Sequence, residues 1–474
     1  MRLLKISLIL FGPLAVQYFF TAQSNFTYSL FVTALLLWFT EIIPLAVTGL
    51  LIPTIAVILG LVDSKTSFSA FGNQIIFLFI GSFILAKAFA YHKLDHRIAY
   101  FILSQKLATR SLYHLQFFIS LICWILSMWI SNTASTALMA PLCIGMASSL
   151  KERFEQENDY KNFMKSLLFL CAFSSSIGGM ATPVGSPPNV LAMEFLAQKS
   201  IHLTFFDWMI MGLPISFVML ILLNLLMLKL YPLTKVKVSG LREFALEKKK
   251  QLGPLTTGQK QVMFCFMLAL TLWIGPGILK LFDSTMAYSS FLSSHLPIGV
   301  VALVASATLF LLPLNNETNM DWEKAKDIDW GTILLFGGGL SLGTILNKTG
   351  TANIIGDVVF QSIQAEYLLL LIVTVAFGVI MSEFSSNTAS ASIIIPLVLG
   401  GISALTPSQT TSIIVATAFG ASFGFMLPVS TPPNAIIYGT RKLKLKEMIK
   451  TGLLFDVLGL LTIFLLVGLL YPLF

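Results

Sequence analysis

The sequence predicts an all-α membrane protein with about 11 transmembrane helices plus two re-entrant hairpins, arranged as inverted repeats. Composition is the first reason. Hydrophobic residues make up 56% of the 474 and charged residues 11%, with a mean hydropathy of +0.85, whereas soluble domains carry roughly a quarter charged residues. The second reason is a repeated pair of polar breaks. Ser131-Asn132-Thr133 and Ser386-Asn387-Thr388 interrupt apolar runs, and each is followed by a proline-rich break, Thr182-Pro-Val-Gly-Ser-Pro-Pro-Asn189 and Leu427-Pro-Val-Ser-Thr-Pro-Pro-Asn434. Charge placement is the third. Lys229 to Lys260 carries eight Lys or Arg against two Glu, and Arg441 to Lys450 carries five against one, so both belong on the cytoplasmic face, where basic residues are retained. The net charge of +8 thus sets orientation and implies no nucleic acid partner.

The apolar segments are long enough to cross a ~30 Å hydrocarbon layer at ~1.5 Å per residue, and too continuous to be barrel strands. Residues 1–27 hold an N-terminal span near 5–22, retained rather than cleaved, with Arg2 and Lys5 inside. The first repeat, 28–230, opens with spans near 28–45 and 47–61 on either side of Trp38-Phe-Thr-Glu-Ile-Ile-Pro44. There Glu41 is either a functional group or a partner for backbone freed by Pro44. A span at 73–91 follows. His92 to Arg110, with Lys93, Arg97, Lys106 and Arg110 among apolar residues, reads as an interfacial helix on the cytoplasmic face. Charged segments flank 111–150 on both ends, so that piece enters and leaves on one face, as a re-entrant hairpin with Ser-Asn-Thr at its tip. A broken helix at 162–200 and a span at 206–230 complete the repeat.

The loop 231–260 is basic and cytoplasmic. The second repeat, 261–474, holds spans near 261–281, 295–312 and 330–346, then an outer segment at 349–364. A hairpin at 366–404 enters from the outer face, a broken helix covers 410–440, and a last span at 451–473 places the C-terminus outside and the N-terminus inside. Internal similarity supports the same plan. The two Ser-Asn-Thr motifs are offset by 255 residues (387 − 132), and Asn189 and Asn434 by 245 (434 − 189). The difference of ten matches the extra charged loop at 151–160. Repeats inserted with opposite polarity place a binding site at their interface near the midplane.

Broken backbone at membrane depth persists where it is buried in protein or lines a cavity. A hairpin tip ends one helix in free carbonyls and starts the next in free amides, which attract a cation and an anion respectively. Ser131 and Thr133 add hydroxyls, and Asn132 adds an amide donor and a carbonyl acceptor. Prolines 183, 187, 188, 428, 432 and 433 end helices and free carbonyls, and Gly185 permits close backbone approach. Either motif alone reads as an N-cap or a kink; four in matched order point to a site for a dianion flanked by cations. No Arg or Lys lies within them, so the anion's charge has to be offset by cations and dipoles. The four cysteines and the Met, Phe and Leu stripes read as packing residues, and the five His as loop residues.

These residues resemble the divalent anion/sodium symporter family. The resemblance runs over essentially the whole chain: Trp38 to Pro44, both Ser-Asn-Thr motifs, both Pro-Pro-Asn loops, and Ser422-Phe-Gly-Phe-Met-Leu-Pro-Val-Ser430 leading to Asn434. It implies that Ser131, Asn132, Thr133, Ser186 and Pro187 face one end of the substrate, and Ser386, Asn387, Thr388, Thr431 and Pro432 the other. It also implies one sodium site from Ser127, Asn132 and Gly185, and a mirror site from Ser382, Ser385, Asn387 and Ser430. Ser385 and Ser430 depart from the Ala expected there.

By the same resemblance the chain is a homodimer in the lipid of the cytoplasmic (inner) membrane, working as an elevator-type transporter. Its implied activity is uptake of C4-dicarboxylates (succinate, malate, fumarate) with Na+ as co-transported ion and no organic cofactor. The alternatives are a Na+-independent dicarboxylate exchanger and a sodium/sulfate symporter of the same fold. An enzyme is not expected: no His lies near either Ser-Asn-Thr, and there is no HExxH or Walker pattern. The sequence leaves the roles of Glu41 and Glu383 open.

Overall fold

Apolar runs bounded by proline, glycine and capping residues become helices here, and the polar breaks become their joints. The computed structural model describes residues 25–234, 236, 238, 240–282, 295–314, 317–360, 366–402 and 405–470; the expected span at 5–22 lies outside the described residues. In chain order the first half comprises α1 (Asn25–Thr40), α2 (Leu45–Ile58), α3 (Gln74–Tyr91), α4 (Leu94–Leu103), α5 (Leu112–Ser127), α6 (Asn132–Ser149), α7 (Glu157–Gly179), α8 (Pro187–Ala197) and α9 (Phe205–Leu230). After α10 (Leu241–Gln251), the second half comprises α11 (Thr257–Phe282), α12 (Ile298–Leu311), α13 (Trp330–Lys348), α14 (Thr351–Phe360), α15 (Tyr367–Phe384), α16 (Asn387–Gly401), α17 (Pro407–Ala421), α18 (Pro432–Gly439) and α19 (Leu445–Leu470). The sheet content among the described residues is one antiparallel ribbon, Pro313–Leu314 with Glu317–Thr318.

The protein is therefore a helical membrane protein, with six helical stretches among the described residues long and apolar enough to cross a bilayer, and several shorter apolar ones. Two expected spans turn out short. α2 and α12 have 14 residues each, about 21 Å at ~1.5 Å per residue. Each crosses a longer helix of the opposite half at close range: Gly49 of α2 lies on the backbone of α13 at Leu334 and Gly338, and Gly81 of α3 lies on Ala302 of α12. Glycine removes the side chain that would hold the backbones apart. By sequence offset α2 corresponds to α12 and α3 to α13, so the pairings α2–α13 and α3–α12 are one contact made twice, as a two-fold axis requires.

The hairpins α5–α6 and α15–α16 pack on α7 and α17 respectively. Their bases lie far apart. Lys165, near the start of α7, pairs with Glu447 at the foot of α19 at 2.7 Å, while Tyr367, at the base of the second hairpin, donates to the Gly468 carbonyl near the other end of α19 at 3.4 Å. Glu447 to Gly468 is 21 residues of helix (468 − 447), about 32 Å, so α19 spans the distance between the two bases. On the first-hairpin side, Arg97 of α4 donates to the carbonyls of Leu252, Gly253 and Pro254, joining the two basic segments.

Two helices go beyond the sequence reading. α10 lies inside the expected basic loop, where Leu241 and Ala245 bury one edge of a short, lysine-rich helix. α14 lies in the segment expected outside; its Gly356 packs on Gly400 and Gly401 of α16. Glu41 sits exposed at the α1–α2 turn with φ 47°, away from the interior.

Candidate functional site

Both hairpins are built the same way at their tips. Ser131 and Ser386 are extended N-caps whose Oγ atoms accept the amides of Ala134 and Ala389, each at 3.2 Å, so α6 and α16 begin on the Asn of each motif. In each half a serine one turn back donates to that Asn: Ser127 Oγ to Asn132 Oδ1 at 2.5 Å, and Ser382 Oγ to Asn387 Oδ1 at 2.7 Å. The proline breaks match equally. Asn189 Nδ2 donates to the carbonyls of Gly179 and Thr182 at 2.8 and 2.7 Å, and Asn434 Nδ2 to those of Gly424 and Leu427 at 2.8 and 3.0 Å. Pro187 and Pro432 then open α8 and α18 at the first helical position, where a missing N–H costs nothing.

The four joints meet at one cavity of about 440 Å³. All ten residues expected to face substrate line it: Ser131, Asn132 and Thr133 with Ser186 and Pro187 from the first half, Ser386, Asn387 and Thr388 with Thr431 and Pro432 from the second. Among the residues expected at the cations, Asn132, Gly185, Asn387 and Ser430 also reach the cavity. Ser127, Ser382 and Ser385 lie behind it, buried. The Ser385 hydroxyl is buried with no hydrogen-bond partner. Opposite the joints the wall comes from Pro44, Phe79, Phe83 and Leu335, and the cavity extends to Asp329, the N-cap of α13. Among the described residues, neither Glu41 nor any Lys or Arg lines the cavity.

Four helix N-termini, those of α6, α8, α16 and α18, therefore converge on one space. The Ser-Asn-Thr starts carry free backbone amides, while the Pro-Pro starts supply dipole without N–H groups. Each N-terminus contributes about 0.3–1 kcal/mol toward an anion, so four give on the order of 1–4 kcal/mol. Taking each charge of a dianion out of water costs several kcal/mol; the dipoles alone fall short, and hydroxyl and amide donors or cations beside the anion would make up the difference. Oxygen donors for cations are at hand. Gly179 and Gly185 lie against each other and against Asn132, so closely that a Cβ on Gly179 would stand 2.5 Å from Asn132 Oδ1.

The halves differ in how the break is tied to the tip. In the first, Thr182 Oγ1 donates to the Met128 carbonyl at 2.6 Å. In the second, Ser430 Oγ donates to the Glu383 carbonyl at 2.8 Å or to the Glu383 carboxylate at 2.7 Å. The buried Glu383 carboxylate also accepts the amides of Phe425, Met426 and Leu427 at 2.6, 2.9 and 3.2 Å. Thr182 and Glu383 were missed as site residues. A carboxylate in an apolar hairpin was the available signal for Glu383; Thr182 had none beyond its place at the head of the proline break. Gly339-Leu-Ser-Leu-Gly343 spells a hydrolase-like G-x-S-x-G, but it lies within α13, where buried Ser341 donates to the Ser67 carbonyl at 2.7 Å. That is a packed helix, not a strand-to-helix elbow.

Comparison with known proteins places this geometry. The family model described as the sodium:sulfate symporter transmembrane region matches residues 3–474. A sodium-dependent dicarboxylate transporter, SdcS, of Staphylococcus saprophyticus is 33% identical over 445 residues, covering 92% of this chain and 84% of the relative. An uncharacterized transporter of Haemophilus influenzae is 34% identical over 466 residues, covering 97% and 94%. A solved structure of Neisseria gonorrhoeae MtrF, described as illuminating a class of antimetabolite efflux pumps, aligns with a TM-score of 0.55 at 14% identity, covering 88% of this chain and 84% of that one; this likeness speaks to fold alone. With the match running from end to end, the chain is a membrane transporter rather than an enzyme, and it belongs to the divalent anion/sodium symporter family.

Proposed function

We propose that this protein imports C4-dicarboxylates such as succinate, malate or fumarate, coupled to Na+. The observation that carries the proposal is the cavity, where two Ser-Asn-Thr tips and two Pro-Pro joints from opposite halves frame one space with no cationic side chain among the described residues of its lining. Each half offers hydroxyls and free amides to one carboxylate of a dianion, and Ser127–Asn132 and Ser382–Asn387 offer oxygens to a cation beside it. Sodium then supplies the charge that the dipoles do not. The dicarboxylate transporters among the relatives support this reading. The two-ended cavity favours a molecule with two separated carboxylates over sulfate.

In this reading residues 28–230 and 261–474 act as inverted repeats joined by a cytoplasmic segment at 231–260. The cavity reaches Asp329; counted from the cytoplasmic 231–260 segment, the expected spans 261–281 and 295–312 go out and back and put 315–329 inside, so this state faces the cytoplasm. The hairpins and broken helices move together past α2, α3, α12 and α13 as an elevator, in a homodimer in the cytoplasmic membrane. Labelled succinate uptake into proteoliposomes tests the function. Accumulation that needs an inward Na+ gradient and fails with K+ supports symport; uptake that ignores Na+ but needs internal dicarboxylate makes the protein an exchanger.

A further inference from the structure

A second cavity, of about 510 Å³, lies at the far end of α13 from Asp329. Its walls come from the turn before α3, the ends of α8 and α13, and the first turn of α14. It repeats the layout of the first cavity with the halves exchanged. The first runs from Asp329, the N-cap of α13, along Phe79 and Phe83 of α3; the second runs from Asn73, the N-cap of α3, along Leu340 and Thr344 of α13. Phe83 and Leu340 are matched at the offset of 257 (340 − 83) that also aligns Gly81 with Gly338. Between the cavities stands α8. Pro187 at its start lines the first, and Lys199, just past its end, lines the second. α8 is fastened at this level: Asn73 Nδ2 donates to Glu194 Oε1 at 2.7 Å, and the Phe195 ring lies on Gly343 of α13.

The two cavities differ in charge. The first holds Asp329 and no cationic side chain among the described residues, whereas the second holds Lys199 and Lys348 and no Asp or Glu. Both lysines are exposed, and among the described residues neither has an ion-pair partner. Gln198, Asn347 and Asn353 add side-chain amide donors to the same walls. A single lysine at a helix C-terminus needs no ligand to explain it, since it complements the helix dipole. Here two from different helices share one concave space, where like charges focus a positive potential toward an anion. Asn353, in the first turn of α14, brings the positive end of that helix to the same space.

We propose that this cavity is a docking site for a small dianion on the outer face, where Lys199 and Lys348 hold an incoming dicarboxylate before α8 moves and admits it to the sodium-flanked pocket. Ammonium groups meet the charge here, so the outer site takes a dianion without Na+. The inference rests on the reading that the cargo is a C4-dicarboxylate and that α13 ends outside.

Two readouts test it. The first needs no transport. Asn347→Cys puts a thiol in the cavity wall, while the four native cysteines are buried. In purified protein in KCl, succinate should slow its reaction with N-ethylmaleimide, uncharged succinamide should not, and the protection should vanish when Lys199→Gln and Lys348→Gln are added. The second is sided. In right-side-out vesicles the double Gln variant is expected to raise the KM for external succinate about two- to thirtyfold, the range for two partly exposed ion pairs. Its maximal rate and the internal succinate that half-saturates efflux should stay at wild-type values, and Lys199→Arg with Lys348→Arg should keep the wild-type KM. Absence of protection overturns the proposal, as does a wild-type KM in the double Gln variant; a lowered melting temperature with that KM would make the lysines helix caps. An equal rise for uptake and efflux overturns it too, because the lysines would then act on the shared pocket. A wild type that carries no succinate in either direction overturns the dicarboxylate reading instead, and the labelling then decides whether the cavity docks a dianion.

Discussion

Gly179→Ala is the sharpest probe of the first cation pocket, because it adds a single methyl at the point where three elements touch. A Cβ there would stand 2.5 Å from Asn132 Oδ1 and 3.0 Å from both Asn132 Nδ2 and the Gly185 carbonyl. That is about 0.8 Å inside a relaxed C···O contact of ~3.3 Å. Asn132 has little room to retreat, since Ser127 already donates to it at 2.5 Å. Overpacking of this kind costs about 1–3 kcal/mol; at ~1.4 kcal/mol per factor of ten, that corresponds to a roughly 5- to 150-fold loss if it falls on the bound state. Gly179 is the last residue of α7, and Ala in a helix gains about 0.5–1 kcal/mol over Gly, which offsets part of the strain in the unliganded protein. The expected result is a melting temperature in KCl within a few degrees of wild type, with the Na+ concentration for half-maximal uptake raised at least about fivefold. Gly424→Ala is the control. Its methyl would meet the Ser382 carbonyl and Ser430 Cβ at 3.0 Å, so its effect is expected to be smaller. Unchanged Na+ dependence in Gly179→Ala, or a larger effect from Gly424→Ala, refutes the placement of the cation.

Asn132→Ala strands the buried Ser127 hydroxyl, at about 1–3 kcal/mol of stability, whereas in Asn387→Ala the Ser382 hydroxyl keeps the Ala421 carbonyl at 2.9 Å; each variant removes a proposed cation oxygen together with a proposed substrate amide. Both variants should fold and lose at least about tenfold in succinate uptake, read as initial rates in proteoliposomes. Thermodynamic linkage requires that succinate affinity, followed by calorimetry, rise with Na+ concentration; constant affinity from zero to saturating Na+ would remove the coupling. Orientation can be read with a membrane-impermeant maleimide, because all four native cysteines are fully buried and should stay silent. Lys199→Cys should label from outside in intact cells, and Lys248→Cys only after permeabilisation.

The helices and their joints were legible because a bilayer permits so few alternatives: an apolar run of the right length must be a helix, and a polar break inside one must be buried or wet. The pairing of halves was legible in the repeated letters. What escaped was carried by contacts without a repeated letter. Thr182, and Ser430 in a role other than the cation contact expected of it, hold the break to the carbonyl of the residue after Ser127 or Ser382, Met128 in one half and Glu383 in the other, yet they sit at different places in their motifs. α10 hid because its lysines outweigh the two positions it buries. The ends of α2 and α12 sit at local signals, Pro44 and Gly60 for one and Pro297 and Pro313 for the other, but their glycine contacts are with partners more than 200 residues away, which no local pattern records.

The departures from symmetry then carry information that the matched residues do not. At the position equivalent to Gly185 the second half has Ser430, and at that of Met128 it has Glu383. A glycine and an apolar side chain have been exchanged for a hydroxyl and a buried carboxylate that bond each other at 2.7 Å. A buried carboxyl group in a hairpin core carries a desolvation cost. Glu383 is accommodated because the loop gathers four donors around it. The consequence is electrostatic: the second pocket has a carboxyl group one hydroxyl away, and the first has only dipoles. Two cations bound at equivalent depths should therefore differ in affinity, the second being the tighter. Na+ titration of thermal stability in Ser127→Ala, which cripples the first pocket, should keep a high-affinity phase, and Ser382→Ala should lose it. Equal loss from both would mean that the carboxylate is fully neutralised by its donors and that the two pockets fill as one.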